Sequence, residues 1–330
     1  MLSSTIYFFH DFSESETKKG TDTKPVKDAH HIVSNNFFSI NEIRIANKIR
    51  DLNAKNGMQR FYIFDSSKRL KIGEIGSTHL HLDPNIVKSN ANRILLTFPK
   101  LDLVYFDAYL ASLSSSKKYI YQLIEGYRSL LGSIGLLVSN QIIHNSLNCN
   151  TIVLHKDKPI LTNFSKSIDI TEAGFNWSQY FLLRKLDRFC PVEFYLLQYQ
   201  VTNNQELSMY NIETIIKEFF KDFLNDLKLD INISYFTKYT NKPFAANLLE
   251  ALKYWKTWDN YALSMVYLEI LNDFKRSDNK FISDFMKLLV GYTNLDPSKR
   301  GLFSLTLFEE MLQHIDLKDF RELISNATNK

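Results

Sequence analysis

The sequence predicts an α+β fold in two unequal parts, a small strand-bearing N-terminal portion followed by a large helical one. Three observations predict it. Before residue 98 the apolar residues fall in short runs of strand length, with one amphipathic helix among them. From about Tyr105 they recur every three or four positions almost to the end of the chain. Chain breakers are scarce: 10 Gly and 7 Pro in 330 residues, against 25 Phe and 17 Tyr, so long helices meet few interruptions.

Residues 13–30 are polar, with Gly20 and Pro25, and are expected to be a flexible loop. Ser39 to Glu42 has the pattern of a capping box, and Ile43, Ile45, Ala46, Ile49 and Leu52 follow with helical spacing up to Asn56 and Gly57. Phe61–Phe64 and Leu70–Ile75 read as two strands around a turn at Asp65 to Lys68. Residues 83–92 read as a loop, and Arg93–Phe98 as a buried strand leading into a linker near Pro99 to Asp102. Ser114 to Lys118 reads as a serine-capped helix start, and Tyr119 to Asn140 carries a wide apolar stripe of a deeply buried helix. Thr151–Leu154 and Pro159–Thr162 form a predicted hairpin across His155 to Lys158. Later helical runs lie at 211–229, 244–255, 258–273, 280–292 and 305–313.

Composition narrows the function. The net charge is +4, and Lys and Arg are scattered, the densest short runs being Lys18–Lys19 and Ser66 to Lys71. A nucleic-acid groove needs a basic stripe interleaved with aromatics, which is absent, so no nucleic-acid partner is expected. Mean hydropathy is −0.22, and no stretch of eighteen apolar residues occurs, so no membrane span is expected. Cys149 and Cys190 have no CxxC partner, which argues against a zinc site and fits a reducing compartment. The opening residues lack a basic start and a cleavage pattern, so a cytoplasmic location is expected. His79 and His81 have the spacing of some metal ligands but no further ligand nearby, and His30–His31 reads as loop. No Gly-x-Ser-x-Gly supports nucleophile chemistry, and no flanking cation activates Cys149.

One constellation is more specific. His144, Asn145, Ser146, Leu147, Asn148, Cys149, Asn150, Thr151 and Ile152 are followed by Asn163, Phe164 and Ser165. This resembles a protein-kinase catalytic loop, His-Arg-Asp-Leu closing on an Asn, and a later Asp-Phe-Gly, with the charged chemistry removed. Further anchors follow in the family's order. Cys190 to Glu193 resembles the Ala-Pro-Glu motif, Trp258 to Ser264 the start of the central helix, and Leu295 to Arg300 the Asp-Pro-x-x-Arg turn. Each anchor alone is common, and Trp258–Asp259 alone reads as an ordinary helix cap. Their shared order carries the resemblance, which is nearest to the divergent kinase-like proteins of large DNA viruses.

The resemblance implies a bilobal protein-kinase-like fold: a reduced N-lobe over 1–98, a helical C-lobe over 99–330, and a helical insert around 200–256. It implies that Asp259 bonds the loop backbone and that Glu193 pairs with Arg300. It also implies failed chemistry. Ser146 stands at the base position, Asn163 and Thr151 at the magnesium positions, and Asn148 at the loop lysine. A serine hydroxyl accepts no proton near neutral pH, and each such loss costs roughly 10²–10⁴ in rate. No glycine-rich loop precedes residue 35, and no Val-Ala-Ile-Lys strand is present. Glu42 is the candidate helix carboxylate, with a capping-box role as its alternative, and Lys71 is the candidate cation. Asp157 and Asp169 are candidate displaced metal ligands. Asn148, Asn150 and Asn163 are candidates to hold ATP without magnesium, and no other cofactor or metal is expected. The implied function is that of a pseudokinase, a binding, scaffold or regulatory module with a protein partner at the insert, in host cytoplasm or virion. The alternatives are a divergent active serine/threonine kinase and a structural assembly protein of kinase ancestry.

Overall fold

The computed structural model describes residues 28–55, 59–70, 93–227, 233–271, 280–301 and 304–313, and shows a mixed α+β architecture. The N-terminal sheet has three antiparallel strands, β1 (Asp28–Ser34), β2 (Ser66–Leu70) and β3 (Arg93–Pro99), in the order β1-β3-β2. Central β3 buries Ile94, Leu96 and Phe98, every second residue, as a half-buried strand must. Among the described strands β2 lies at an edge, and its residues Ser66 to Arg69 are exposed.

Three local expectations need correction here. Residues 28–30, expected in the flexible loop, belong to β1, and so do His30 and His31; the His31 ring meets Phe98 edge-on at 4.9 Å. Helix α1 spans Phe37–Lys55, starting before the expected capping box. The Asn36 carboxamide accepts the Ser39 N–H at 3.0 Å, so Asn36 caps the helix, and Glu42 lies in the second turn. The earlier start seats Phe37 and Phe38 against Tyr180, at 6.4 and 6.0 Å between centroids. Third, the expected turn at Asp65 to Lys68 overlaps β2. Phe61–Phe64 instead runs along a later hairpin, with Tyr62 N–H on the Leu161 carbonyl at 2.8 Å and Leu161 N–H on the Arg60 carbonyl at 3.0 Å. Lys71 to Ile75, residues 83–92, His79 and His81 lie outside the described residues.

The helical part begins with β4 (Val104–Tyr105), α2 (Phe106–Ser112) and α3 (Ser116–Ser139), the last capped by Ser115. Strand β5 (Ile142–Ile143) pairs with β8 (Ile168–Asp169), and β6 (Ile152–His155) forms a hairpin with β7 (Lys158–Leu161). Lys156 and Asp157 both have positive φ, 51° and 61°, the requirement of a two-residue hairpin turn that matches strand twist. Helices α4 (Trp177–Leu183), α5 (Val192–Asn203), α6 (Met209–Leu227), α7 (Phe244–Leu252), α8 (Trp258–Ile270), α9 (Lys280–Tyr292) and α10 (Leu305–Gln313) follow.

Three apolar clusters hold these elements. The largest gathers Ile45, Ile49 and Leu52 of α1 with Leu123, Tyr127 and Leu130 of α3 and Leu263, Val266 and Tyr267 of α8. A second contains Tyr180, Phe181, Phe194 and Trp258 together with Ile212 and Ile216 of α6 and the fully buried Phe236 and Tyr239. Phe236 and Tyr239 therefore serve packing. The third joins the sheet face, Ile94, Leu96 and Phe98, to Tyr62, Phe64, Val153 and Ile160, so sheet and hairpin share one dry interior.

One ion pair lies within this packing. Arg300 donates to both carboxylate oxygens of Glu193, at 2.8 and 2.7 Å, and neither side chain is exposed. Its remaining donors go to the carbonyls of Asn294 (2.6 Å) and Leu295 (3.2 Å), while Trp258 Nε1 donates to Glu193 at 3.3 Å. Every charge is thus answered, the condition under which such a pair is tolerated in an interior. We expect Glu193→Ala, which strands Arg300, to cost about 3–5 kcal/mol in urea denaturation, and Glu193→Leu with Arg300→Met to recover part of that loss. Equal losses for the single and double variants would contradict this.

Candidate functional site

The site is built on the loop from His144 to Thr151, between β5 and β6. Its shape comes from one carboxylate. Asp259, in the first turn of α8, accepts the backbone N–H groups of His144 and Asn145 at 2.6 and 2.7 Å. Burial pushes the Asp259 carboxyl up to about 6, and the two N–H donors pull the other way. Asp259 is therefore not the helix cap that its sequence position alone allows; it binds a loop 115 residues away.

His144 is fully buried, its Nε2 is 3.0 Å from the Thr162 carbonyl, and its ring meets Phe164 edge-on at 4.7 Å. Burial lowers its pKa to about 4, so the imidazole is neutral and structural. The Asn148 and Thr151 side chains bond to the loop itself, while the Asn145 amide donates to the Tyr180 hydroxyl on α4. Asn148 Oδ1 accepts the Asn150 N–H at 2.8 Å, and Thr151 Oγ1 accepts the Asn148 N–H at 3.0 Å and donates to the Ser146 carbonyl at 2.9 Å. Ser146 is buried on the same loop. Asn163 sits at φ 63°, a left-handed conformation that asparagine tolerates, and accepts the Ser165 hydroxyl at 2.7 Å.

Helix α1 packs over this segment of the site. Asn41 Nδ2 donates to the carbonyls of Ser165 and Ser167 at 2.8 and 2.7 Å. Glu42 reaches the Phe164 N–H; burial nevertheless raises its carboxyl to about 7. Lys48 pairs with Asp169 and Arg44 with Glu172. Burial pushes Asp169 up, but Lys48 and the Thr171 hydroxyl and N–H outweigh it, so the carboxyl stays ionised below its ordinary range. Asp157 accepts the Tyr109 hydroxyl at 2.6 Å. Both candidate displaced ligands thus have partners on the chain itself. Among the described residues no three His, Cys, Asp or Glu side chains gather as a metal site.

The structure therefore brings Glu42, His144, Ser146, Asn148, Thr151, Asn163, Phe164 and Ser165 into one region, while Lys71 lies outside the described residues. Cys149 is half-buried, with its thiol pushed up to about 11 chiefly by burial, so it is not activated. Sequence reasoning missed Asn41, Arg44 and Lys48. Their spacing of three and four places them along one face of α1, which is the signal that was available. No family model matches this chain, and no curated protein matches it.

The Glu42 environment has a pH signature. A carboxyl whose folded pKa is raised binds its proton more tightly in the folded state, so stability increases as pH falls from about 7 toward its ordinary value of 4.5. Glu42→Gln keeps an acceptor for Phe164 and removes the charge. We expect the variant to exceed the parent in stability at pH 8 by on the order of 2 kcal/mol and to match it near pH 5, measured by chemical denaturation. An equal difference at both pH values would contradict the assigned burial.

Proposed function

We propose that this chain is a kinase-like scaffold without phosphotransfer activity, acting as a protein-binding or regulatory module. In this reading the β1-β3-β2 sheet with α1 is the reduced small lobe, and the helices from α2 onward form the large one. The observation that carries it is a division between two kinds of residue. Those that set backbone shape are charged and engaged: Asp259 on the loop, Glu193 on Arg300. Those at the positions where chemistry would need carboxylates, Ser146 and Asn163, are neutral, and Asn163, Asn148 and Thr151 bond to their own loop.

Magnesium-dependent phosphoryl transfer needs anionic oxygens on the metal and a base for the acceptor hydroxyl. The carboxylates of Glu42, Asp169 and Asp259 each accept bonds from the chain: Phe164 N–H, Lys48 with Thr171, and two loop N–H groups. A partner surface on the region around 200–256 is supported by Tyr210 and Leu249, which are 77% and 67% exposed on α6 and α7.

The deciding experiment is an ATP hydrolysis and autophosphorylation assay on the full chain with magnesium, beside thermal denaturation with ATP in magnesium and in EDTA. The expected result is no turnover and no metal-dependent rise in the midpoint. Turnover that Asn163→Ala abolishes, or a rise that needs magnesium, overturns the proposal in favour of a divergent active kinase.

A further inference from the structure

Past α6, a lysine ammonium stands inside a cage of aromatic rings. Lys238 lies in a short 3-10 segment, Ile233–Tyr239. Its Nζ is 3.5 Å from the Tyr235 ring centroid, 5.1 Å from that of Tyr254 and 5.7 Å from that of Tyr239. All three distances lie within the reach of cation–π attraction. The remaining wall is a carboxylate, Glu250 of α7, which accepts from Lys238 at 2.7 Å. The Tyr235 hydroxyl accepts from the same ammonium.

The cage opens to solvent. Tyr239 is fully buried, but Tyr235 and Tyr254 are only partly so, and the Lys238 and Glu250 side chains are 25% and 16% exposed. The occupant can also leave without the backbone that carries it. Phe236 and Tyr239, on either side of Lys238, are fully buried in the second apolar cluster and anchor the segment independently. Burial pushes the Glu250 carboxyl up, but Lys238 and the exposed Lys253, at 2.5 Å, outweigh it and hold it below its ordinary range. The carboxylate therefore stays ionised. The Glu193–Arg300 pair acts on Tyr239 with both signs and adds no net charge.

We infer that Tyr235, Tyr239, Tyr254 and Glu250 form a recognition site for a methylated lysine side chain of a partner protein, with Lys238 as the resident occupant that the guest displaces. A guest must carry one positive charge to regain both the ring attraction and the ion pair that Lys238 gives up. A plain ammonium is compact and strongly hydrated. Methyl groups shed that water and spread contact over the rings, so a methylated ammonium competes well for the cage. Glu250 accepts an N–H, which a dimethylammonium keeps and a trimethylammonium lacks. Leu249, 67% exposed beside Glu250, offers apolar surface to the residues flanking the guest. The inference names partner chemistry for the binding role proposed above, but it does not rest on absent phosphotransfer: ATP turnover would leave it standing.

The test titrates the full chain by calorimetry with the Nα-acetyl amides of lysine, dimethyllysine and trimethyllysine, and with choline. It compares the parent, Lys238→Gln, and Lys238→Gln combined with Tyr235→Leu or with Tyr235→Phe. Dimethyllysine is expected to bind Lys238→Gln at least tenfold tighter than the parent, because the internal competitor is gone, and tighter than unmethylated lysine or trimethyllysine. Binding should vanish with Tyr235→Leu and survive Tyr235→Phe, which keeps the ring. Lys238→Gln should still melt cooperatively, since Phe236 and Tyr239 hold the segment; loss of folding shows Lys238 to be purely structural and overturns the inference. So does absence of binding to Lys238→Gln, equal affinity in the parent and Lys238→Gln, or binding that survives Tyr235→Leu. Choline bound more tightly than dimethyllysine overturns the partner-protein assignment in favour of a small quaternary ligand.

Discussion

The geometry of the candidate site depends on a buried carboxylate holding two consecutive backbone N–H groups. Asp259 fixes His144 and Asn145, and through them everything hung on that turn. The Ser167 hydroxyl donates to the His144 carbonyl at 2.8 Å, and the Asn145 amide reaches the Tyr180 hydroxyl. Burial makes this carboxylate costly to ionise, yet two short N–H donors are aligned on it. The arrangement is worth its cost because a loop with exposed alternatives would otherwise choose among many conformations. Nothing in that role involves a reacting group, so it persists whether or not chemistry takes place above it.

The contact between the N-terminal and helical parts follows a similar logic, with polar bonds set into apolar packing. Ile45 and Ile49 of α1 enter the core built by α3 and α8, and the neighbouring face of the helix directs Asn41, Glu42 and Lys48 at residues 164–169. Apolar burial supplies most of the attraction, and the polar groups fix which turn of the helix meets which carbonyl. Phe37 and Phe38 extend the contact onto Phe175 and Tyr180. A rigid-body swing of α1 would have to break all of these together.

Much of the fold was legible because hydrophobic period is a local property. The stripe in α3, the hairpin at Lys156 and Asp157, strand β3 and the helices from α6 onward all announce themselves within a short window, whereas α4 and α5 do not. What escaped notice was decided at a distance. Phe61–Phe64 looks like a hairpin strand, but its partner is Leu161, a hundred residues on. The start of α1 was misplaced because Asn36 and Ser39 are both good caps, and aromatic packing on Tyr180 decides between them. In the site, Asp259, Glu193 and Arg300 were readable only through the order of motifs.

The bond from Asn41 to the Ser165 and Ser167 carbonyls spans more than 120 residues of chain. Its position has a consequence for biosynthesis. When α1 leaves the ribosome, the surfaces that cover Ile45 and Ile49 have not yet been translated. At about 5–20 residues per second the nascent segment waits on the order of ten seconds with its greasy side uncovered. This N-terminal stretch must either be shielded by a chaperone during that interval or remain unstructured until its distant partners emerge.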